Sequence, residues 1–213
     1  MKKAEDNTIS LDDFFRKFFE AVFVWAVKPN AEEELKKADV IIVPAFGLRE
    51  NDLGLSNKEL AKITQELHEK FNLPVVLQWE VVSLVKIEPI KVLKIVNKSL
   101  GNQFNDFFSK IITRLFTKGL VKRPEDYLDT YGFFEQAAQV CLPKKSKVII
   151  VCHKAHSWKC KAVAEKVGFK PLFPSEMTTA YDPESLQYYT RNSFLWWMRE
   201  IPGRIYYILR GWI

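Results

Sequence analysis

Six side chains able to hold an anion, move a proton or bind a metal crowd into residues 152–160: Cys152, His153, Lys154, His156, Lys159 and Cys160. Imidazole titrates near neutral pH, so either histidine could donate or accept a proton. A lysine ammonium holds phosphate or carboxylate. Two cysteines with two histidines are also the donor types of zinc sites, but their spacing weighs against one. Cys152 ends an apolar run and Cys160 lies on an apolar helix face, so both thiols should point into packing. No CxxC stands elsewhere, and His68 is the one other histidine. No metal is expected. Cys152 near a helix start could have a lowered pKa, yet a buried, inert thiol is the commoner state. The chain has no GxSxG, no phosphate-binding P-loop and no GxGxxG, so hydrolase, NTPase and dinucleotide readings lose their usual support.

The elements that would position these residues can be read from periodicity. Val148–Val151 is a continuous β-branched run, the pattern of a buried parallel strand. From about Ala155 the apolar residues Cys160, Val163, Ala164 and Val167 recur at helical spacing, and Gly168 closes the helix. His153–Ser157 is therefore the turn between a strand's carboxyl end and a helix's amino end, where open α/β sheets bind ligands and free amides favour anions. Upstream, Val40–Val43 leads into the loop Pro44–Asn51, then a helix with Leu60, Ile63, Leu67 and Phe71 inward. Val75–Leu77 follows and ends in Gln78, Trp79 and Glu80. Strand, helix, strand at this spacing is a right-handed βαβ unit.

In a parallel sheet the three loops converge. They bring together Gly47, Arg49, Glu50, Gln78, Glu80, His153, His156 and Lys159. Gly47 would let backbone approach a ligand. Arg49 and Lys159, with Lys154, would hold an anion; His156 would orient it or donate a proton, and Glu80 is the candidate base.

The remaining chain reads as one domain over residues 1–213. An amphipathic helix at 11–28 begins at a Ser10/Asp13 capping box and should pack its Phe-rich face on the sheet; a second capping box is Ser56 with Glu59. Residues 81–118 read as a lysine-rich helical insertion. "YGFFEQAAQVCL" is a short helix, "KPLF" a further strand, and the aromatic ending is interrupted at Pro202 and Gly203. The class is α/β: a three-layer, doubly wound, Rossmann-like, mostly parallel sheet with helices on both faces.

A chain of 213 residues with 47% hydrophobic and 27% charged side chains is globular in composition. The net charge of +6 permits an anionic partner, but most basic residues alternate with acids. A small anionic metabolite is the expected partner and nucleic acid is not. Peripheral contact with an anionic membrane through the basic and aromatic helices is the alternative. The polar opening and three cysteines point to a cytoplasmic protein with reduced thiols.

Four blocks in order, "ADVIIVPAFGLRENDLGLSNKELAKITQEL", "LPVVLQWE", "VIIVCHKAHSWKCKAVAEKVGFKPLFP" and "REIPGRIYYILRG", resemble the YdcF/SanA-like family, a Rossmann-like domain of largely unknown function. The resemblance covers most of the chain outside the first helix and residues 81–129. His156 matches the family's histidine, Lys159 stands where arginine is usual, and Cys152-His153 replace Thr-Ser. The family's glycine-rich first loop is here Pro44-Ala45-Phe46-Gly47, and its Ser-Gly-Gly after the second strand is Gln78-Trp79-Glu80. Its Thr-x-Glu-Asn helix start is reduced to Glu135-Gln136, with Thr130 out of register. The resemblance implies a pocket at the strands' carboxyl ends and adds Glu135 to the residues around it. It also implies a nucleotide-like cofactor, S-adenosylmethionine among the suggestions, and for some members a link to the cell envelope.

Overall fold

The computed structural model describes residues 11–49, 52–89, 91–93, 128–140, 143 and 145–213. Five short strands form one sheet: β1 (Val40–Val43), β2 (Val75–Gln78), β3 (Lys91–Leu93), β4 (Lys147–Ile150) and β5 (Lys170–Leu172), in the order β3-β2-β1-β4-β5. Every pairing is parallel, with Ile42 opposite both Val76 and Ile150. The chain leaves β1 in one direction to form β2 and β3, and returns on its other side as β4 and β5. That reversal opens a crevice beyond the carboxyl ends of β1 and β4, the position where doubly wound sheets hold ligands.

Strand residues alternate between two apolar layers. Val40, Ile42, Val148 and Ile150 face one layer, with Phe133, Phe134, Cys160, Val163, Tyr207 and Ile208. Ile41, Val43, Ile149 and Val151 face the other, with Leu60, Leu67, Val81 and Trp196. The helices that supply them are α1 (Leu11–Phe23), α2 (Glu32–Leu35), α3 (Leu55–Phe71), α4 (Trp79–Val82), α5 (Thr130–Val140), α6 (Ser157–Lys166) and α7 (Ser193–Leu209). The central strands are buried on both faces, which is why they read as unbroken apolar runs rather than alternating ones. The architecture is a three-layer Rossmann-like α/β sheet.

Several expectations need correction. The first helix ends at Phe23, not near residue 28, and three of its phenylalanines face solvent. Ala21 is fully buried while Phe15, Phe19 and Phe23 are exposed. Ser56 and Glu59 form no capping box, since Gly54 precedes α3. Instead Ser56 Oγ donates to the Ala180 carbonyl, and Glu59 accepts from Thr178, so both side chains anchor the loop after β5. Within the expected insertion, Lys91–Leu93 is a strand on the sheet's edge, short enough to escape periodicity. Residues 94–118 and the Ser10 cap lie outside the described residues. Pro202 and Gly203 do not interrupt the last helix, which runs from Ser193 to Leu209. Proline removes one backbone hydrogen bond there, and the buried side chains of Glu200, Arg204, Tyr206 and Ile208 hold both halves of α7 in place. Among the described residues no helix is long and apolar enough to cross a membrane.

Candidate functional site

The loops after β1 and β4 meet face to face. Phe46 stacks on the His153 ring, with centroids 4.0 Å apart and planes 8° from parallel. Trp196 of α7 closes against Phe46 at 4.6 Å and meets His156 edge-on at 5.2 Å. Asn57, buried at the start of α3, accepts from Phe46 N and donates to the carbonyls of Gly47 and Leu53. Gln78 ends β2, accepts from Ala45 N and donates to Glu80 Oε1. Three loops thus converge as the parallel sheet requires.

The turn itself has little amide capacity left for a ligand. Lys154 N donates to the Thr178 carbonyl, Ala155 N to His153 Nδ1, and His156 N to the His153 carbonyl. The groups left facing the crevice here are side chains, not the free amides of a helix amino end expected from sequence. Because His153 Nδ1 accepts a hydrogen bond from the Ala155 amide, this ring is neutral, and burial brings its pKa down to about 4.

Around His156 the charges are unusual for a protein interior. Glu200 of α7 is fully buried, as are Lys159 and Arg204. Glu200 accepts from Lys159 Nζ at 3.3 Å and from Arg204 Nε at 3.1 Å, with His156 Nδ1 3.7 Å away. Arg204 spends its other donors on the carbonyls of Ala21, Val24 and Ala155, and its guanidinium lies between the rings of Trp25 and Trp158. Lys159 also sits over the Tyr207 ring at 4.6 Å. Burial lowers the Lys159 pKa, Arg199 and Arg204 lower it further, and Glu200 alone opposes them. Burial alone would raise the Glu200 pKa, but Lys159, His156 and Arg204 hold it far below the carboxylate range. His156 shares a hydrogen bond with Thr130 Oγ1 at 3.0 Å, while its Nδ1 has no hydrogen-bond partner. Burial pulls its pKa down, yet the neighbouring Cys160 and Glu200 leave it above 6.5. Burial pushes the Cys160 thiol well up, so the charged neighbour that matters is Glu200.

A cavity of about 30 Å³ lies over this cluster, walled by Phe46, Gly47, Thr130, His156, Lys159 and Trp196, with Tyr189 and Arg199 alongside. It has room for a water-sized group, whereas pockets that enclose whole cofactors run to roughly 300 Å³ and more.

No family model matches the sequence, and no curated protein and no solved structure matches it.

Of the residues singled out from sequence, Gly47, His156 and Lys159 line this cavity. Gly47 has φ +81°, and a Cβ there would meet Thr190 Oγ1 at 2.9 Å, so the residue serves a close approach between two loops. Gln78 and His153 support the cavity from behind. Glu80 does not line it. It is buried, hydrogen-bonded to Gln78, and desolvation pushes its pKa up to about 7. Arg49 is not available for an anion. Its fork grips Asp182 through Nε and Nη2, and Nη1 reaches Glu184 at 2.6 Å. Lys154 is exposed. Glu135 is half-buried on α5 away from the cavity, and Thr130, five residues earlier, supplies the contact to His156. Glu50 lies outside the described residues. Among the described residues no cluster of histidine, cysteine and carboxylate could hold a metal.

Sequence reasoning missed Glu200, Arg204, Thr130 and Asp182. One signal was present. Glu200 and Arg204 are spaced i, i+4 inside an aromatic segment, and a charge pair in apolar surroundings is buried only when its partners are built in.

Proposed function

We propose that this protein binds a small ligand by its anionic head, a phosphate or carboxylate, seated at the carboxyl ends of β1 and β4. The observation that supports this is charge. The buried Lys159 lines the cavity and shares its carboxylate partner there, Glu200, with Arg204. Buried cations without matching carboxylates are costly, and an entering anion offsets that cost. Lys159 supplies the positive point charge, Arg199 stands alongside as a further cation, and His156 is placed to share a proton with the head. Thr130 orients the imidazole through its hydrogen bond. Glu80 acts through Gln78, holding Ala45 at the rim, and is a positioning residue.

The small volume narrows the ligand class. The cavity has room for little more than one oxygen of such a head, so the rest of the ligand, any nucleoside or adenosyl portion included, would lie outside it near Tyr189 and Gln187. Head recognition, and not enclosure of a nucleotide, is the binding mode.

Thermal denaturation with inorganic phosphate, acetate, sugar phosphates and nucleotides, each against chloride at matched ionic strength, tests this. A ligand that binds the folded state raises the melting temperature by mass action. At least one phosphate or carboxylate compound is expected to raise it in wild type and to lose that effect in Lys159→Met and His156→Ala. Equal shifts in wild type and both variants, or no shift with any compound, would overturn the proposal.

A further inference from the structure

Thr130, His156 and Glu200 stand in a row at the cavity. Thr130 Oγ1 lies 3.0 Å from His156 Nε2, and the other ring nitrogen, Nδ1, faces Glu200 Oε1 at 3.7 Å. All three residues are buried, and all three line the cavity. Each is held by a different element. Thr130 opens α5, where Asp129 Oδ1 accepts from Gly132 N and fixes the first turn. His156 ends the short turn after β4, and its amide donates to the His153 carbonyl. Glu200 is anchored on α7 by Lys159 and Arg204.

Charge decides which nitrogen carries the imidazole proton. Nδ1 is buried without a hydrogen-bond partner and faces a carboxylate. The Cys160 thiol is also beside the ring, but burial keeps it neutral, so the anion there is Glu200. A bare lone pair on Nδ1 would repel that carboxylate, whereas an N–H is drawn to it. The proton therefore sits on Nδ1, and Nε2 is left as an acceptor. Thr130 must then be the donor, with its O–H aimed at His156. The Nδ1 contact is longer than a hydrogen bond, and contacts of this kind tighten when substrate binds.

Hydroxyl, imidazole and carboxylate in this order are a nucleophile, its base, and the group that orients the base and stabilises the imidazolium. We propose that the cavity hydrolyses a small carboxylic ester, with Thr130 as nucleophile, His156 as general base and acid, and Glu200 as a positioning residue. Thr130 Oγ1 attacks the ester carbonyl carbon and gives its proton to Nε2. The carbon–oxygen bond to the alcohol then breaks, and Nε2 returns the proton to the leaving oxygen. Water repeats the sequence on the acyl-threonine: it adds to the carbonyl as His156 takes its proton, and that proton returns to Oγ1 as the acid leaves. A cavity of about 30 Å³ suits the carbonyl oxygen alone, and Lys159 on the same wall offers it positive charge. The carboxylate product is one of the anionic heads proposed above, so the inference rests on that seat for the ligand and adds a reaction to it.

Acetyl transfer from p-nitrophenyl acetate tests the step, read as p-nitrophenolate release and, after acid quench, by peptide mass spectrometry. Wild type should carry acetyl on Thr130 and release p-nitrophenolate faster than buffer does. Thr130→Val should lose both signals, and Thr130→Ser, which restores the hydroxyl, should regain them. His156→Ala should slow release by about a hundredfold or more. The wild-type rate should rise with pH as the imidazole loses its proton and then level off. In Glu200→Gln the midpoint of that profile should move down, since the imidazolium loses its carboxylate; an unmoved midpoint would overturn the role of Glu200. Circular dichroism shows that each variant is folded. No acetyl on Thr130, or release by Thr130→Val equal to wild type, would overturn the proposal. Anions that stabilise wild type while Thr130 stays unmodified would overturn the reaction and leave the binding reading standing. Acetylation of Thr130 without any anion stabilisation would do the reverse.

Discussion

Glu200 is the residue on which the interior charges depend. It neutralises Lys159 and Arg204 together, and neither cation has another carboxylate within ion-pairing distance among the described residues. Glu200→Gln should therefore destabilise the protein by about 3–5 kcal/mol, the usual range for breaking a buried pair and stranding its partner. Lys159→Met removes one partner of Glu200 and keeps the apolar stem, and Arg204 still pairs with the carboxylate, so it should cost less than Glu200→Gln. Urea denaturation of both variants separates the two expectations. The buried titrating groups give a second prediction. Glu80 holds its proton more tightly folded than unfolded, with a pKa of about 7 against 4.5. The stability it contributes is full below pH 4.5 and is lost as pH rises toward 7. His153 acts in the opposite sense: its pKa falls from 6.5 to about 4, so its contribution is full above pH 6.5 and is lost as pH falls. Between pH 4.5 and 6.5 the two slopes largely cancel. In Glu80→Gln the His153 slope stands alone, and stability should rise by about 3 kcal/mol across that window. Denaturation midpoints that stay flat in the variant would contradict these assignments.

At the scale of elements, the cavity depends on the β1 loop being locked to the segment before α7. Arg49 grips Asp182, the Leu48 carbonyl accepts from Leu186 N, and Gly47 passes close to Thr190. Gly47→Ala places a Cβ in left-handed backbone and against a hydroxyl. A loss of about 2 kcal/mol is expected from the conformation alone, with weaker anion binding because Thr190 must move. Calorimetric melting and anion titration of the variant check both effects. These relations also explain what the sequence could reveal. The strands β1, β2 and β4 were legible because they are buried on both faces and leave unbroken apolar runs. The α3 and α6 faces were legible from helical spacing. The edge strand β3 is only three residues long, too short to set a period. The α1 face misled because its hydrophobic period matches a core helix, while the structure turns Phe19 and Phe23 to solvent. In the site, the position of His156 and Lys159 followed from strand-turn-helix order. Their true partner, Glu200, lies 41 residues beyond Lys159, and no local pattern joins them. Arg49 resembled an anion ligand for the same reason, since Asp182 is 133 residues away.

For the whole molecule, the proposed function rests on one place, the small cavity at the switch point of the sheet, lined by His156, Lys159 and Glu200. The cavity is the central claim, and calorimetric titration of inorganic phosphate and of small organic phosphates and carboxylates tests it most directly. The account predicts saturable heat for at least one of these with wild type at neutral pH, and none with Lys159→Met although that variant is folded by circular dichroism. Wild type that gives only dilution heat with every compound, or Lys159→Met that binds as tightly as wild type, would contradict it.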